Sequence, residues 1–560
     1  MEEISSIIRQ PLRIIQELLA KEPNITAEAI SNHFEKLLQD PDLLHQIPSF
    51  IGYGIGQHAP YSLVRFRCMI QDNGLSPQVH LQQMQITNVI TKEQTCVNTW
   101  FVDEPPLPEG QGWSEVSPFG SYVDKQPYFA VGVPALSAWT QSQSSETEEL
   151  ESKLEGLSLD TPRKTLPDHI AKKISSSVNR QAAAILKVYP SIPDLSDLKL
   201  NQVLDVIGIV EYPQPSENME DSLAFDEDDF SSVPIINALV ARKVVDLSCV
   251  DDWAAIASQV SSVDATALRN AMIESISTFV LGDRLAAEYL WLYMFSTRLS
   301  DQNRLMQPLN LTGYATLTEQ TLDIKRLFSL LLPQVSYIPL SLEYLNKQYF
   351  ASGTNPGATG LSAGELQVAD GTLLLLDETR MEAGKLEERG IANLASVENL
   401  LRYGMVPYAL GTQHIDVAMN VGVVILSNSS CMFSVDVEVP MVASADGPSP
   451  SDFSKDLLET ARKFIAVYKN EEYSIPEPME LTIQNYFANV RAEEHRNRQP
   501  LTGQAELMRL LALARLVTLS VGKTQLMENA WNHAITLEAT RKARIQARDT
   551  ATRDKHVPSR

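Results

Sequence analysis

The sequence feature that most constrains the fold is the run GTLLLLDE at 371–378, in which four leucines precede two acids. Side chains along a strand alternate between its two faces, so a strand of successive apolar residues must be buried on both faces. Further extended runs lie at 307–313, 335–342 and 420–430, and helical patterns separate them. The pattern predicts a parallel sheet that is covered by helices on both sides.

The acids that end the 371–378 run, Asp377 and Glu378, have the arrangement of a Walker B strand in an ATPase. In such a strand the Asp orients a magnesium ion and the Glu activates water. An apolar strand that ends in two acids also arises by chance. Asn428, at the end of the 420–430 run, stands where these folds place a polar sensor residue, although a turn asparagine explains it equally well.

The companion phosphate loop, Gly-x-x-x-x-Gly-Lys-Ser/Thr, holds phosphate through backbone amides and a lysine. If Gly313 is its first glycine, the last three positions read Thr318, Glu319 and Gln320. A glutamate in the lysine position repels phosphate by roughly 1 kcal/mol at 4 Å in water, and by more in a buried site. GKT at 522–524 has no preceding strand or first glycine. The sequence therefore predicts an ATPase-like fold without its phosphate grip.

The first half of the chain has a different pattern. Helical spacing covers the first 45 residues, with Ile15, Leu19, Ile30 and Phe34 on the apolar faces and Thr26 as an N-cap. Alternating extended runs follow from Ser62 to Trp139 and resume at 183–191 and 202–212. They predict a small β-barrel, for which an oligonucleotide/oligosaccharide-binding (OB) barrel is one candidate.

Two polar segments interrupt these patterns. Residues 140–180 are rich in Ser and Glu, and they predict a disordered insertion. Thr161 within it opens the sequence TPRK, a minimal proline-directed phosphorylation pattern. Residues 216–232 carry seven acids and no base, which is typical of a solvated tether or of an acidic arm that contacts a basic partner.

Composition and motifs narrow the classes of function. The net charge of −24 argues against binding DNA through phosphate neutralisation and favours a protein partner, especially a basic one. No apolar run is long enough to cross a bilayer. The cysteines at 68, 96, 249 and 431 are too scattered for a zinc site. No Gly-x-Ser-x-Gly or His-Glu-x-x-His motif is present, so we expect no catalytic residues, no cofactor and no metal.

Seven stretches occur in the order in which a known family carries them: PLRIIQELLA (11–20), VRFRCMIQD (64–72), YFAVGVPALSAWT (128–140), LKVYPSIPDLSDLKLNQVLDVIGIVE (186–211), VLGDRLAAEYLWLYMFST (280–297), LLLLDET (373–379) and MRLLALARLVTLSVGKTQL (508–526). Within them FRCMIQD (66–72) and LGDRLAAEYL (281–290) are the specific pieces, and the rest are supportive. Together they resemble the MCM-binding protein family, whose members bind mini-chromosome maintenance (MCM) helicase subunits. The resemblance covers nearly the whole chain.

The family looks like a degenerate relative of the MCM subunits. The resemblance therefore implies a multidomain α/β protein with N-terminal helices and an OB-like β-barrel, followed by a degenerate AAA+ (MCM-like) α/β domain with a helical lid. Three catalytic positions depart from the active pattern. Glu319 replaces the phosphate-loop lysine, Met432-Phe433-Ser434 stands at the arginine finger without an arginine, and no arginine occurs near Thr502 to Gln504 in the lid. The MCM zinc module has no counterpart.

We accordingly predict the following division of the chain: N-terminal helices at 1–60, a barrel at 61–212 with the disordered insertion at 140–180, an acidic linker at 213–233, the ATPase-like domain at 234–500, a lid at 501–547 and a basic tail at 548–560. The stretch 541–560 holds seven Lys or Arg against two Asp. It is either a nuclear signal or a contact with a subunit.

The resemblance further implies a non-enzymatic protein of the nucleus, with a cytoplasmic pool. It would bind most of the six MCM subunits, apparently in place of one. As a chaperone it would supply newly made subunits, and it would release the hexamer from chromatin in DNA replication, with indirect effects on the cell cycle and sister chromatid cohesion. Two alternatives remain from the residues themselves: cryptic nucleotide binding through Asp377 and Glu378, and single-strand DNA binding through the barrel.

Overall fold

The fold is taken from a computed structural model of the chain. The structure describes residues 2–22, 25–50, 58–88, 90–92, 94–103, 106, 113–141, 166–175, 182–192, 195, 197–212, 230, 232–244, 253–296, 308–313, 320–354, 360–428, 430–442, 453–498 and 501–556. Thr161 lies outside these residues, as do Thr318 and Glu319.

Four helices begin the chain: α1 (Glu2–Arg9), α2 (Pro11–Lys21), α3 (Ala27–Leu37) and α4 (Pro41–Gln46). The predicted N-cap is confirmed, because Thr26 Oγ1 accepts a hydrogen bond from the amide of Ala29 at 3.2 Å. The predicted apolar positions are also confirmed, since Ile15, Leu19, Ile30 and Phe34 are all buried. These side chains share one core with the β-barrel, so the helices are part of that domain.

Seven strands follow: β1 (Leu63–Asp72), β2 (Gln78–Asn88), β3 (Gln94–Asn98), β4 (Trp113–Gly132), β5 (Ala183–Val188), β6 (Val203–Glu211) and β7 (Ile235–Lys243). Five of them close into a barrel in the order β1-β6-β7-β5-β4, with β4 returning to β1. Only β5 and β7 run parallel; the other barrel pairs are antiparallel. β2 and β3 continue from β4 as an antiparallel ribbon.

The predicted end of the barrel at residue 212 is wrong. β7 supplies the fifth barrel strand, pairing with both β5 and β6, so the acidic segment joins two strands of one barrel. The acid run resembles an interdomain linker in composition, and nothing local in the sequence reveals that the strand after it pairs backward. Phe230, at the end of this segment, packs against Phe129 on β4 with ring centroids 4.9 Å apart.

The predicted disordered insertion at 140–180 is wrong in part. Helix α5 (Ala138–Gln141) begins it, and α6 (Asp168–Ala171) lies within an ordered stretch at 166–175. Leu166, Ile170 and Ile174 in that stretch are each at most 3% exposed. Their spacing of four residues is a helical signal that the polar composition around them hides. Residues 142–165 and 176–181 lie outside the described part of the chain.

These three side chains cover the outer face of the barrel on β1, β4 and β5. Alternate residues of the strands point outward there, and all are buried: Met69, Phe129, Val131, Ala183 and Ile185. Ala369 from the second half of the chain joins the same cluster. The outer face of the barrel on β1, β4 and β5 is therefore an apolar internal interface rather than a solvent-exposed surface.

Polar contacts also join the two halves. The amide of Leu361 donates to Asp72 Oδ2 at 2.7 Å, and Gln367 Nε2 donates to the carbonyl of Gln71 at 2.9 Å. Gln71 Nε2 in turn donates to the carbonyl of Leu361 at 3.1 Å. Buried hydrogen bonds of this kind hold the barrel in one orientation on the second half.

The second half is built on a parallel sheet of β8 (Leu309–Thr312), β9 (Val335–Pro339), β10 (Leu373–Asp377), β13 (Gly422–Ser427) and β14 (Val437–Pro440), with the hairpin β11 (Met405–Leu410) and β12 (Gln413–Ala418) beside it. The strand order is β14-β8-β13-β10-β9, and every pair is parallel. Leu373 and Leu375 face one core, while Leu374 and Leu376 face another. The prediction of a parallel sheet buried on both faces is confirmed.

Helices cover both faces of this sheet. They are α7 (Trp253–Ser261), α8 (Ala265–Ser277), α9 (Arg284–Tyr293), α10 (Gln320–Leu331), α11 (Leu342–Lys347), α12 (Glu388–Tyr403), α13 (Lys455–Asn470), α14 (Glu477–Arg496), α15 (Gln504–Ser520) and α16 (Glu528–His556). The core under α8, α9 and α13–α16 contains one face of the sheet, and that under α11 and α12 contains the other. Among the helices in the described part of the chain, none is long and apolar enough to cross a bilayer.

The predicted boundary between lid and basic tail, at 547/548, is wrong because α16 continues to His556. Three of its arginines bind the body of the protein. Arg544 Nη1 donates to Asp283 Oδ2 at 2.6 Å, Arg548 pairs with the Glu438 carboxylate, and Arg541 Nη1 donates to the Glu438 carbonyl at 2.9 Å. This part of the tail holds the last helix on the edge strand β14.

Candidate functional site at the carboxyl edge of the parallel sheet

The parallel sheet brings the predicted nucleotide-site residues to one edge. Strands β8, β10 and β13 run in the same direction, so the residues that follow them lie at the same end of the sheet. Gly313 follows β8, Asp377 and Glu378 end β10, and Asn428 follows β13. The amide of Gly313 donates to the carbonyl of Asn428 at 3.0 Å, which joins two of these positions directly.

Gly313 adopts a backbone conformation that suits glycine. Its φ is +96°, and an added Cβ would lie 3.3 Å from the carbonyl oxygen of Met441. The next described element after Gly313 is α10, which begins at Gln320. The side chain of Asn428 is exposed at this edge.

Asp377 is fully buried and its carboxylate is bound by its neighbours. Oδ2 accepts a hydrogen bond from the hydroxyl of Tyr337 at 2.7 Å. Oδ1 accepts from the amide of Thr379 at 3.0 Å and from its hydroxyl at 2.5 Å. Burial, and then the adjacent carboxylate, raise the pKa of Tyr337, so this phenol remains a donor. Both oxygens that would orient a magnesium ion therefore already have protein donors.

Glu378 is buried and faces the loop that follows β13. Its Oε1 accepts a hydrogen bond from the thiol of Cys431 at 3.0 Å, and its Oε2 accepts from the amide of Met432 at 3.1 Å. Burial raises the pKa of this carboxyl above its usual range. Burial, and then the neighbouring carboxylate, also raise the pKa of the Cys431 thiol. Both oxygens of Glu378 therefore already have protein donors in the loop after β13.

The resemblance predicts an arginine-finger position at Met432-Phe433-Ser434 and a sensor position near Thr502 to Gln504, and neither stretch contains an arginine. Met432 is 44% exposed, and Phe433 packs against the core on one side of the sheet. At the predicted sensor position, the amide of Thr502 donates to Glu494 Oε2 at 2.6 Å. The nearest arginine further along α15, Arg509, donates from Nη1 to the carbonyl of Asp436 at 3.0 Å.

Sequence reasoning missed the arginines of α16 near this edge. Arg548 Nη1 lies 3.4 Å from the hydroxyl of Thr312, the residue before Gly313. Arg541, Arg544 and Arg548 are spaced by three and four residues, which places them on one helix face. That spacing indicates a helix continuing into the basic segment, whereas the basic composition alone indicates only a tail.

Sequence reasoning also missed a buried charge cluster on the barrel. Lys125, with no exposed surface, donates to Asp103 Oδ1 at 3.1 Å, and Lys187 pairs with the same carboxylate. The amide of Asp103 donates to Glu211 Oε1 at 2.9 Å. Burial lowers the pKa of Lys125, although Asp103 opposes the shift. Because both lysines pair with Asp103 and the Asp103 amide bonds to Glu211, the cluster ties the segment after β3 to the barrel.

The donor sets do not form an evident metal site. Within the residues that the structure describes, no three His, Cys, Asp or Glu side chains are grouped so that they could hold a metal ion. Of the four cysteines, Cys68 is buried in the barrel and Cys431 lies at the sheet edge, so these two are far apart in the fold.

Comparison with known proteins gives one family over most of the chain. The family model described as "Mini-chromosome maintenance replisome factor" matches residues 34–182 and 161–545. Three relatives carry the name "Mini-chromosome maintenance complex-binding protein". That of Gallus gallus is 24% identical over 97% of this chain and 98% of its own length. That of Arabidopsis thaliana is 25% identical over 92% and 93%, and that of Homo sapiens is 23% identical over 96% and 97%.

Proposed function

The chain belongs to the mini-chromosome maintenance replisome factor family, and from this premise we propose that it is a non-catalytic binding protein for MCM helicase subunits. The observation that carries the proposal is the state of the sheet edge. Asp377 and Glu378 keep the positions of ATPase acids, but protein donors bind both carboxylates. In this proposal the sheet edge corresponds to the nucleotide site of a helicase subunit, and its two acids would lack the free groups that hydrolysis needs.

A degenerate AAA+ core fits the second half. If the five parallel strands are numbered in chain order, they lie in the sheet as 5-1-4-3-2, which is the order of AAA+ cores. In that arrangement the phosphate loop follows the first strand, the Walker B acids end the third and the sensor residue follows the fourth. Gly313, Asp377 and Asn428 stand at those three places. The helices α15 and α16, which cover the predicted lid at 501–547, would take the place of the lid.

An OB barrel fits the first half. Numbered in chain order, its five strands form the ring 1-2-3-5-4, with the third and fifth parallel. OB barrels bind oligonucleotides on the face of strands 2 and 3 and through the loops after strands 1 and 4. Here part of that face is buried within the protein, and the loop after strand 4 is the acidic segment. Both features oppose single-strand DNA binding and favour a basic protein partner.

A protein shaped like a subunit but lacking its chemistry suits a chaperone role. It would occupy the edge of an MCM subunit in place of one of the six and block premature ring closure. In that role it would protect newly made subunits, aid their supply to the nucleus from a cytoplasmic pool, and promote release of the hexamer from chromatin. Cohesion of sister chromatids would depend on it indirectly.

Size-exclusion chromatography with light scattering tests the proposal. The full chain is mixed with purified MCM subunits, with and without ATP, and the mass and composition of each complex are measured. We expect a stoichiometric complex that lacks one MCM subunit and forms without ATP. Absence of a complex under every condition would overturn the proposal and return attention to nucleotide binding and DNA binding.

A further inference from the structure

The hairpin of β11 and β12 is an insertion between α12 and β13. Val406 and Tyr408 on β11 are buried in the core beneath it. Asn201, from the barrel half, donates through Nδ2 to the Tyr408 hydroxyl at 3.2 Å. Burial raises the pKa of Tyr408 to about 12, so the hydroxyl keeps its proton across the ordinary pH range. The hairpin is therefore anchored from both halves of the molecule.

The two edges of this hairpin are treated differently. On the β11 side, the amide of Ala409 donates to the carbonyl of Ser352 at 2.9 Å, and the amide of Thr354 donates to the carbonyl of Ala409 at 2.8 Å. A neighbouring segment thus covers the edge of β11. Strand β12 pairs with β11 alone among the described residues.

The register shows which groups β12 presents outward. Ala418 lies opposite Met405, and the amide of Met419 donates to the carbonyl of Gly404 at 2.9 Å. Hydrogen-bonded and non-bonded pairs alternate in an antiparallel ladder. The backbone groups of Gln413, Ile415 and Val417 therefore face β11, and those of His414, Asp416 and Ala418 point away. Within the described part of the chain these outward amides and carbonyls have no backbone partner.

Proteins usually protect such an edge with lysine, proline or a bulge, because an unpaired edge recruits other strands. β12 reads QHIDVA, with neither lysine nor proline, and its register with β11 is uninterrupted. Ile415 is 48% exposed and Leu410, at the end of β11, is 38% exposed, although both side chains are apolar. An anchored edge whose outward backbone groups are unpaired among the described residues, beside exposed apolar side chains, is suited to strand addition.

We propose that the edge of β12 binds an extended segment of a partner protein by strand addition. This inference rests on the proposed function and names a surface for it. The bound segment would place apolar side chains beside Ile415 and Val417, and a Lys or Arg beside Asp416 on the opposite face. A second copy is a poorer occupant, because self-pairing would bring the two Asp416 carboxylates close together in chains of net charge −24.

The test uses two variants of Asp416 in the full chain. Asp416→Pro removes an outward amide without removing a hydrogen bond to β11, while Asp416→Ala removes the charge and keeps the amide. Affinity for purified MCM subunits is measured for each. We expect Asp416→Pro to raise Kd about tenfold or more and Asp416→Ala to raise it about threefold or less. Circular dichroism and thermal unfolding check that both variants fold.

Hydrogen exchange of the wild-type chain gives a second reading that needs no variant. The amides of His414, Asp416 and Ala418 should exchange fast in the free chain and slowly in the complex. Fast exchange in both states, or equal binding by wild type and Asp416→Pro, would overturn the edge proposal while leaving the proposed function intact. Slow exchange in the free chain would also overturn it, since the chain would then cover its own edge. Failure of wild type to bind any subunit would count against the proposed function instead.

Discussion

The barrel face and the sheet edge are the two surfaces that our proposal compares with the ligand sites of OB barrels and AAA+ cores, and this chain fills each with its own residues. On the barrel the filling is apolar, with Phe129, Val131 and Ile170 completely buried. At the sheet edge it is polar, since hydrogen bonds from Tyr337, Thr379 and Cys431 occupy the two acids. The first depends on excluded water and the second on a few directed bonds.

The difference teaches how firmly each surface is closed. Apolar burial contributes about 25 cal/mol per Å², so opening the barrel face would expose a large apolar area at high cost. A hydrogen bond contributes only about 1 kcal/mol net, because water replaces it when it breaks. The barrel face should therefore stay buried under all native conditions. At the sheet edge the acids are held by a few hydrogen bonds, so single substitutions should be enough to free them.

The largest expected effect comes from Phe129→Ala, which removes a buried side chain from the apolar barrel face. Removing a fully buried phenylalanine should lower the free energy of unfolding by about 3–5 kcal/mol. Urea unfolding measures the loss. Tyr122→Ala on the same strand is the control, because Tyr122 is 63% exposed and its loss should change stability by about 0.5 kcal/mol or less. A loss below about 1 kcal/mol for Phe129→Ala would mean that the face is loosely covered.

The second prediction concerns acid sensitivity on the barrel side. Burial, and then the charge of Lys125, lower the pKa of His80 to about 4 against the opposing effect of Asp103. Between about 6.5 and 4 the unfolded histidine binds a proton and the folded one does not, so acidification through this window destabilises the protein. His80→Gln should lose less stability than wild type between these pH values. If the free energy of unfolding changed equally with pH in the two proteins, His80 would not have a lowered pKa in the folded chain.

The third prediction has the opposite sign and belongs to the sheet edge. Burial raises the pKa of Glu378, so ionising this carboxyl costs more in the folded than in the unfolded chain. The free energy of unfolding therefore decreases as pH rises above the ordinary glutamate pKa, and this decrease is absent below it. Glu378→Gln keeps an acceptor without the charge. Its stability relative to wild type should increase as pH rises from 4 to 8, measured by urea unfolding. If the stability of Glu378→Gln relative to wild type decreased as pH rises, the hydrogen-bond donors would stabilise the carboxylate more than burial destabilises it.

The smallest expected effect is the response to nucleotide. With both acids occupied and Glu319 in the lysine position, ATP with magnesium should raise the melting temperature by less than about 1 °C. Differential scanning fluorimetry of wild type and Asp377→Asn measures this. A clear rise in wild type that Asp377→Asn abolishes would revive the nucleotide-binding alternative.

Sequence patterns predicted the architecture where each segment carries its own signal. Four successive leucines revealed a doubly buried strand, and the spacing of Ile30 and Phe34 revealed a helix face. Errors arose where the outcome depends on distant partners. β7 belongs to the barrel because it pairs with β5 and β6. The helix at 168–171 forms because its apolar side packs on the barrel face. Composition around both segments was polar, so local patterns pointed to linkers.

The residues that the sequence singled out lie at one edge of the sheet, but the sequence did not show how the two acids are bonded. Strand ends placed Gly313, Asp377, Glu378 and Asn428 at one edge. Whether the carboxylates were free depended on Tyr337 and Cys431, which lie 40 and 53 residues away in the chain. No periodicity or motif encodes such contacts, so only the fold could reveal that the acids are occupied.

The most direct test of the central claim is the nucleotide dependence of binding to MCM subunits. Affinity of the full chain is measured with ATP, with ADP and without nucleotide, for wild type and for Asp377→Asn. Every Kd should agree within about twofold, because the acids of this chain are already bound by its own side chains. An affinity that ATP increases by about tenfold, and that Asp377→Asn returns to the nucleotide-free value, would contradict a catalytically silent binding protein.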